Sequence, residues 1–185
     1  MKPLVIDIET LGLNPLRDKI VAIGYYYSGK TNVFVGDDEK KILQKFKGLI
    51  NEVKPKVIVG YNILSFDLPF IVFRAFKNGI DLQEIWSLCI LDLMHVVIKY
   101  LTRRRMKLKD ICSEFGIEVY DVADGNEIPM LYELGEWNKI ALHCESDVLR
   151  CAKLLKKLKP LAEHYLINKY YYRLRDDFKL NLEVD

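Results

Sequence analysis

The sequence predicts an α/β domain, with a mixed central β-sheet flanked by helices, on three observations. Short runs rich in Leu, Val and Ile alternate with longer segments whose apolar residues recur at three-and-four spacing. Turn-forming pairs such as Asn14-Pro15, Ser28-Gly29 and Asn78-Gly79 separate these segments. The chain has 185 residues, half of them hydrophobic, which is enough for one domain with a sizeable core.

The first apolar run, between Pro3 and Gly12, predicts a buried strand over residues 4–10. Residues 19–27 and 31–35, rich in Ile, Val and Tyr, predict two more strands joined by a tight turn at Ser28-Gly29-Lys30. Asp37 or Asp38 is placed to cap a helix whose apolar face is Ile42, Leu43, Phe46, Leu49, Ile50 and Val53. Residues 56–60 predict a fourth strand. An apolar helix through Phe70, Ile71, Phe73 and Phe76 then stops at Asn78-Gly79. Residues 88–100 predict a helix with a short extended start near Ile90. A short helix ends at Gly116, and residues 121–127 read as a polar loop. Pro129 opens a brief helix that Gly135 breaks, and residues 136–159 predict a long helix ended by Pro160. The predicted organisation is one domain over residues 1–160. Residues 161–185, with Tyr165, Tyr170, Tyr171 and Tyr172, form an extension expected to pack on that domain or on a partner subunit.

Composition excludes several classes. Charged residues make up 29% of the chain and no apolar run reaches the length of a membrane span. With no signal-peptide layout at its start, the expected location is the cytoplasm. Cys89, Cys112, Cys144 and Cys151 lack metal-site spacing and read as small reduced core residues. A net charge of +2 is too small to argue for nucleic acid by itself. Clustering several acids in one site would leave the remaining surface more basic than the total implies. Arg103, Arg104 and Arg105, with Lys107 and Lys109, form a basic segment. It reads as a solvated loop or as a phosphate-binding patch.

Two acids interrupt the first strand. Alternation places Asp7 and Glu9 on one face of it, where two like charges are costly unless a cation joins them. Hard oxygen ligands favour Mg2+ or Mn2+. The other reading is a strand edge whose acids face water. Asp67 lies where a loop enters a helix, and Asp147 sits inside the long helix, where Asp is not favoured. His143 precedes Asp147 by four residues and shares its helix face.

Three of these segments carry a resemblance to a known family. Asp7-Ile8-Glu9-Thr10, Asn62-x-x-x-Phe66-Asp67 and His143-x-x-x-Asp147 resemble the three motifs of the DEDD superfamily of 3′–5′ exonucleases. The likeness is nearest to the proofreading exonuclease domain of family-B DNA polymerases and its stand-alone relatives, and covers roughly residues 3 to 158. It implies a ribonuclease H-like fold and two divalent cations, Mg2+ or Mn2+, held by Asp7, Glu9, Asp67 and Asp147. It also implies a nucleic-acid substrate with a free 3′ end, single-stranded DNA above all, and a role in DNA repair. Thr10, Leu11, Gly12, Asn62 and Phe66 would contact that substrate. One departure stands out: the superfamily's tyrosine branch has Tyr four residues before the last Asp, and its histidine branch has His five before. Here His143 occupies the tyrosine's spacing. A free imidazole, with pKa near ~6.5, is a better base at neutral pH than a phenol near ~10, so His143 is expected to orient or deprotonate the attacking water. The alternatives carried forward are a 3′–5′ exoribonuclease and a catalytically silent nucleic-acid-binding module. The sequence sets no oligomeric state.

Overall fold

The computed structural model describes residues 2–174 and 182–183. Five strands form one mixed sheet: β1 (Leu4–Thr10), β2 (Ile20–Tyr27), β3 (Lys30–Val35), β4 (Val57–Gly60) and β5 (Cys89–Asp92). Their order is β3-β2-β1-β4-β5. β1 runs antiparallel to β2 and parallel to β4, and β5 runs parallel to β4. The β2–β3 hairpin turns at Ser28 and Gly29, both at positive φ (51° and 78°). Such a turn matches the twist of the strands it joins.

Helices, among them the short α4 (Leu108–Glu114) and α5 (Ile128–Glu133), cover both faces, and the strand period divides the core between these faces. Leu4, Ile6 and Ile8 point to the face covered by α1 (Glu39–Val53) and α2 (Asp67–Lys77), among Phe46, Phe70 and Ile71. Each such fully buried aliphatic side chain contributes about 1.5–3 kcal/mol. Val5, Val57, Val59 and Leu91 point to the opposite face, covered by α6 (Trp137–Lys157) and α7 (Lys159–Leu174). Asp38 caps α1 by accepting a hydrogen bond from the Lys41 N–H at 3.0 Å. Glu39 is buried at the start of α1 and meets Arg74 of α2 through two hydrogen bonds, at 2.8 and 2.6 Å. The Ile20 N–H and the Asn78 amide also donate to Glu39. That cluster locks α1, α2 and β2 together. All four cysteines are free and buried, as expected.

Two segments differ from the sequence reading. Residues 88–100 contain β5 before a short helix, α3 (Leu93–Val97), which runs on as one π-helical turn, Ile98–Thr102. Every β5 residue is buried, so the segment lacks the alternation that marks a half-exposed strand. Pro160 lies in the first turn of α7, where a missing N–H costs nothing, and so begins a helix as well as following one. α7 buries Ala162 and Leu166 in the core. Its Tyr170 hydroxyl accepts from the Ile90 N–H at 3.1 Å and donates to the Ile90 carbonyl at 3.2 Å, covering the free edge of β5. Tyr171 and Tyr172 lie on the helix backbone, and residues 175–181 and 184–185 of the predicted extension lie outside the described residues.

Candidate active site

Because side chains alternate along β1, Asp7 and Glu9 share the face of Val5, beneath α6. The β1–β2 pairing shifts register between Glu9 and Thr10, a bulge at the end of the strand that carries both acids. α6 lies close against this part of the sheet because Gly24, opposite Asp7 on β2, has no side chain. A Cβ there would sit 2.8 Å from Cys144 Sγ and 2.9 Å from Val148 Cγ2. That approach brings the polar edge of α6 to the β1 carboxylates.

Asp67 is the first residue of α2. The loop before it is shaped by Asp92 at the end of β5, which is fully buried and was not singled out from the sequence. Asp92 accepts from the backbone N–H groups of Asn62 (2.9 Å), Leu64 (3.1 Å) and Met94 (2.9 Å). These bonds hold Asn62 at a φ of 63°, a left-handed conformation that Asn tolerates.

On α6, the 3.6-residue repeat aligns His143, Asp147 and Arg150 on one face. His143 is buried, with Nδ1 2.9 Å from Asp121 Oδ1 and Nε2 3.7 Å from Glu9 Oε1. Arg150 donates from Nη1 to Asp121 Oδ2 at 2.7 Å and to Asp147 Oδ1 at 2.5 Å. Asp121 therefore joins the histidine to the arginine. Burial would raise its carboxyl, but the hydrogen bonds from His143 and Arg150 hold it below the usual carboxylate range. It is an ionised acceptor at neutral pH and takes the hydrogen bond from Nδ1, which leaves Nε2 facing Glu9.

Asp7, Glu9 and Asp67 are pushed the opposite way. Burial, followed by the charges of Asp67, Asp147 and Glu9, raises Asp7 well above its ordinary value. Burial and the charges of Asp147, Asp67 and Asp121 do the same to Glu9. Asp67 is pushed up to about 7, chiefly by burial, although the backbone N–H groups of Asp67 itself and Ile8 pull it down. The protein thus crowds acids that repel one another in a poorly hydrated site. A cation among them would relieve that repulsion.

Asp7, Glu9, Asp67, His143 and Asp147 all line a single cleft of about 570 Å³. Asn62 and Phe66 line it too, and Lys107, Lys109 and Asn126 form other parts of its wall. Thr10, Leu11 and Gly12 are not part of that lining. The Thr10 hydroxyl bonds the Gly12 carbonyl at 2.6 Å, Leu11 packs beside Val21 and Ile128, and Gly12 lies against the Asp18 carboxylate. Asp121 and Arg150 were missed from the sequence. Arg150 was legible, since it shares the helix face of Asp147. Asp121 lies in a loop with no periodicity to mark it.

The profile of the RNase_H superfamily matches residues 4–159. The chain belongs to the RNase H superfamily. The mixed α/β sheet is the fold expected for this superfamily, and the resemblance to family-B polymerases drawn from the three motifs holds. This chain is 32% identical over 178 residues to an uncharacterised protein of Methanocaldococcus jannaschii, covering 85% of this chain and 96% of that one. It is 26% identical over 190 residues to a DNA polymerase of Archaeoglobus fulgidus, covering 91% of this chain and 24% of the polymerase. The family-B DNA polymerase structure from Pyrobaculum calidifontis superposes with a TM-score of 0.75 at 22% identity, over 85% of this chain and 24% of that one. This chain therefore spans about a quarter of the length of each of these two polymerases. Among the described residues no helix is long and apolar enough to cross a membrane.

Proposed function

We propose that this RNase H superfamily domain is a metal-dependent 3′–5′ exonuclease that hydrolyses single-stranded DNA from its 3′ end. Homology to DNA polymerases supports a nuclease-type function. The observation that carries the finer reading is the meeting of Asp7, Glu9, Asp67 and Asp147, from three separate elements, with His143 in one cleft.

The donors suit hard divalent cations. One oxygen each from Asp7 and Glu9 and the Cys144 sulfur lie within 4.8 Å of one another. Burial, with the charges of Glu9 and Asp7, pushes the Cys144 thiol well above its ordinary value. Its Sγ–H points to the Asp7 carbonyl at 3.7 Å. With the thiol engaged by that carbonyl, the donors that converge on the cleft are carboxylate oxygens, which favours Mg2+ or Mn2+ over softer metals. Asp7, Glu9, Asp67 and Asp147 would hold them. Bound there, two such ions would neutralise the scissile phosphate and lower the pKa of a water.

The protein groups supply the rest. Asp121 fixes the ring of His143 so that Nε2 faces the cleft, and Nε2 accepts the proton of the attacking water. Arg150 holds Asp147 from the side away from His143 and keeps its charge balanced. Lys107 and Lys109 place positive charge at the mouth of the cleft for the phosphates that follow the scissile one. Asn62 and Phe66 lie where the terminal nucleotide would sit.

The test is digestion of a 5′-labelled single-stranded DNA oligomer with Mg2+ or Mn2+, beside RNA of the same sequence. A ladder shrinking from the 3′ end on DNA supports the proposal. Faster loss of the RNA would reassign the substrate. Ion-dependent binding to both without turnover would mark a silent binding module.

A further inference from the structure

We infer that a basic groove continuing from the cleft along the C-terminal half of α6 binds the single strand whose 3′ end enters the cleft. The inference rests on the nuclease reading above. Lys109 and Arg150 line both the cleft and a second hollow beside it, whose floor includes Gly116 and Val119. Gly116, Ile117 and Glu118 then pass from that hollow into a third one, edged by Lys153, Lys156 and Lys157. The three hollows are therefore neighbours that share walls. Lys157 lies ten residues beyond Asp147 on the same helix, about 15 Å along its axis at ~1.5 Å per residue.

The lysines here are exposed and their charge is largely uncompensated. Lys156 and Lys157 make no ion pair among the described residues, and Lys153 donates only to the Glu118 carbonyl, at 3.0 Å. The opposing charges are the exposed Glu118 side chain and Asp124, which lies 3.9 Å from Lys109. Tyr120, 80% exposed, stands between Val119 of the second hollow and Asp121 of the cleft. A line of cations beside an exposed aromatic suits one strand, whose phosphates follow the charge and whose unpaired bases stack. A short ligand held in the cleft alone would not reach it.

The experiment uses fluorescence anisotropy in Mg2+ with an Asp7→Ala parent, which prevents turnover. Its probes are 5′-labelled oligothymidylates of roughly four and roughly sixteen nucleotides. Adding Lys153→Ala, Lys156→Ala and Lys157→Ala should weaken binding of the long oligomer about tenfold and reduce its salt slope by about 2, at ~0.7 per lost phosphate contact. Binding of the short oligomer should not change. Tyr120→Ala should weaken the long oligomer without altering the slope. If the parent binds the long oligomer and the triple variant keeps the same affinity and slope, the groove is a solvated face and the inference fails alone. If the parent binds neither probe, the nuclease reading fails with it.

Discussion

Metal-free protein should lose stability as pH rises from 4 to 7, and Asp67 shows by how much. In the unfolded chain its carboxyl titrates near ~3.9; in the fold burial lifts it to about 7. The native state then holds a proton that the unfolded chain has released, so unfolding becomes easier as pH rises through this window. Stability from this group is fully present below the unfolded pKa and is lost as pH passes the folded one. A shift of about three units at ~1.4 kcal/mol each gives a loss of about 4 kcal/mol. Asp7 and Glu9 are raised as well and add with the same sign. Asp121 is lowered, so its contribution is lost only as pH falls below ~4 and is constant across the window. The assay is urea unfolding in EDTA between pH 4.5 and 7.5, for wild type and Asp67→Asn. Wild type should weaken steadily, the variant should show a shallower slope, and millimolar Mg2+ should restore wild type at neutral pH. Stability that is flat or rises over this range, or equal slopes in the two proteins, would show that Asp67 is not held protonated by the fold.

Three further outcomes follow from single contacts. Glu39→Ala leaves Arg74 buried without its partner and should cost about 3–5 kcal/mol in chemical unfolding, with little change in the geometry of the cleft. Gly24→Ala drives a Cβ into Cys144 and Val148, so it should cost about 1–3 kcal/mol and also lower hydrolysis by moving His143 and Asp147 off β1. Normal activity in that variant would mean that α6 tolerates displacement. Asp121→Asn replaces the carboxylate that orients His143 and pairs with Arg150 by a neutral amide, and should reduce turnover about 10–100-fold while changing oligomer affinity little. A variant that loses affinity and keeps turnover would place Asp121 in substrate binding instead.

The parts of the site that were legible in the sequence are those written in local periodicity. Alternation along β1 put Asp7 and Glu9 on one face, and the helical repeat put His143 over Asp147, as the structure has them. The loop entry into α2 likewise placed Asp67. What escaped were contacts made across the fold. Asp121 reaches His143 from 22 residues away, and Asp92 organises the Asn62 loop from a strand that resembled a helix start. β5 was obscured because burial on both faces erases alternation. The close approach of α6 depends on the missing side chain of Gly24, and inside an apolar strand that glycine did not mark itself.

If the crowded carboxylates are a hydrolytic centre, hydrolysis depends on Asp7. The most direct measurement is the rate at which wild type and Asp7→Ala shorten the same 5′-labelled DNA oligomer at saturating Mg2+, both proteins shown to be folded. Wild type should give a 3′-end ladder and Asp7→Ala only background levels. Equal rates in the two proteins would contradict that dependence.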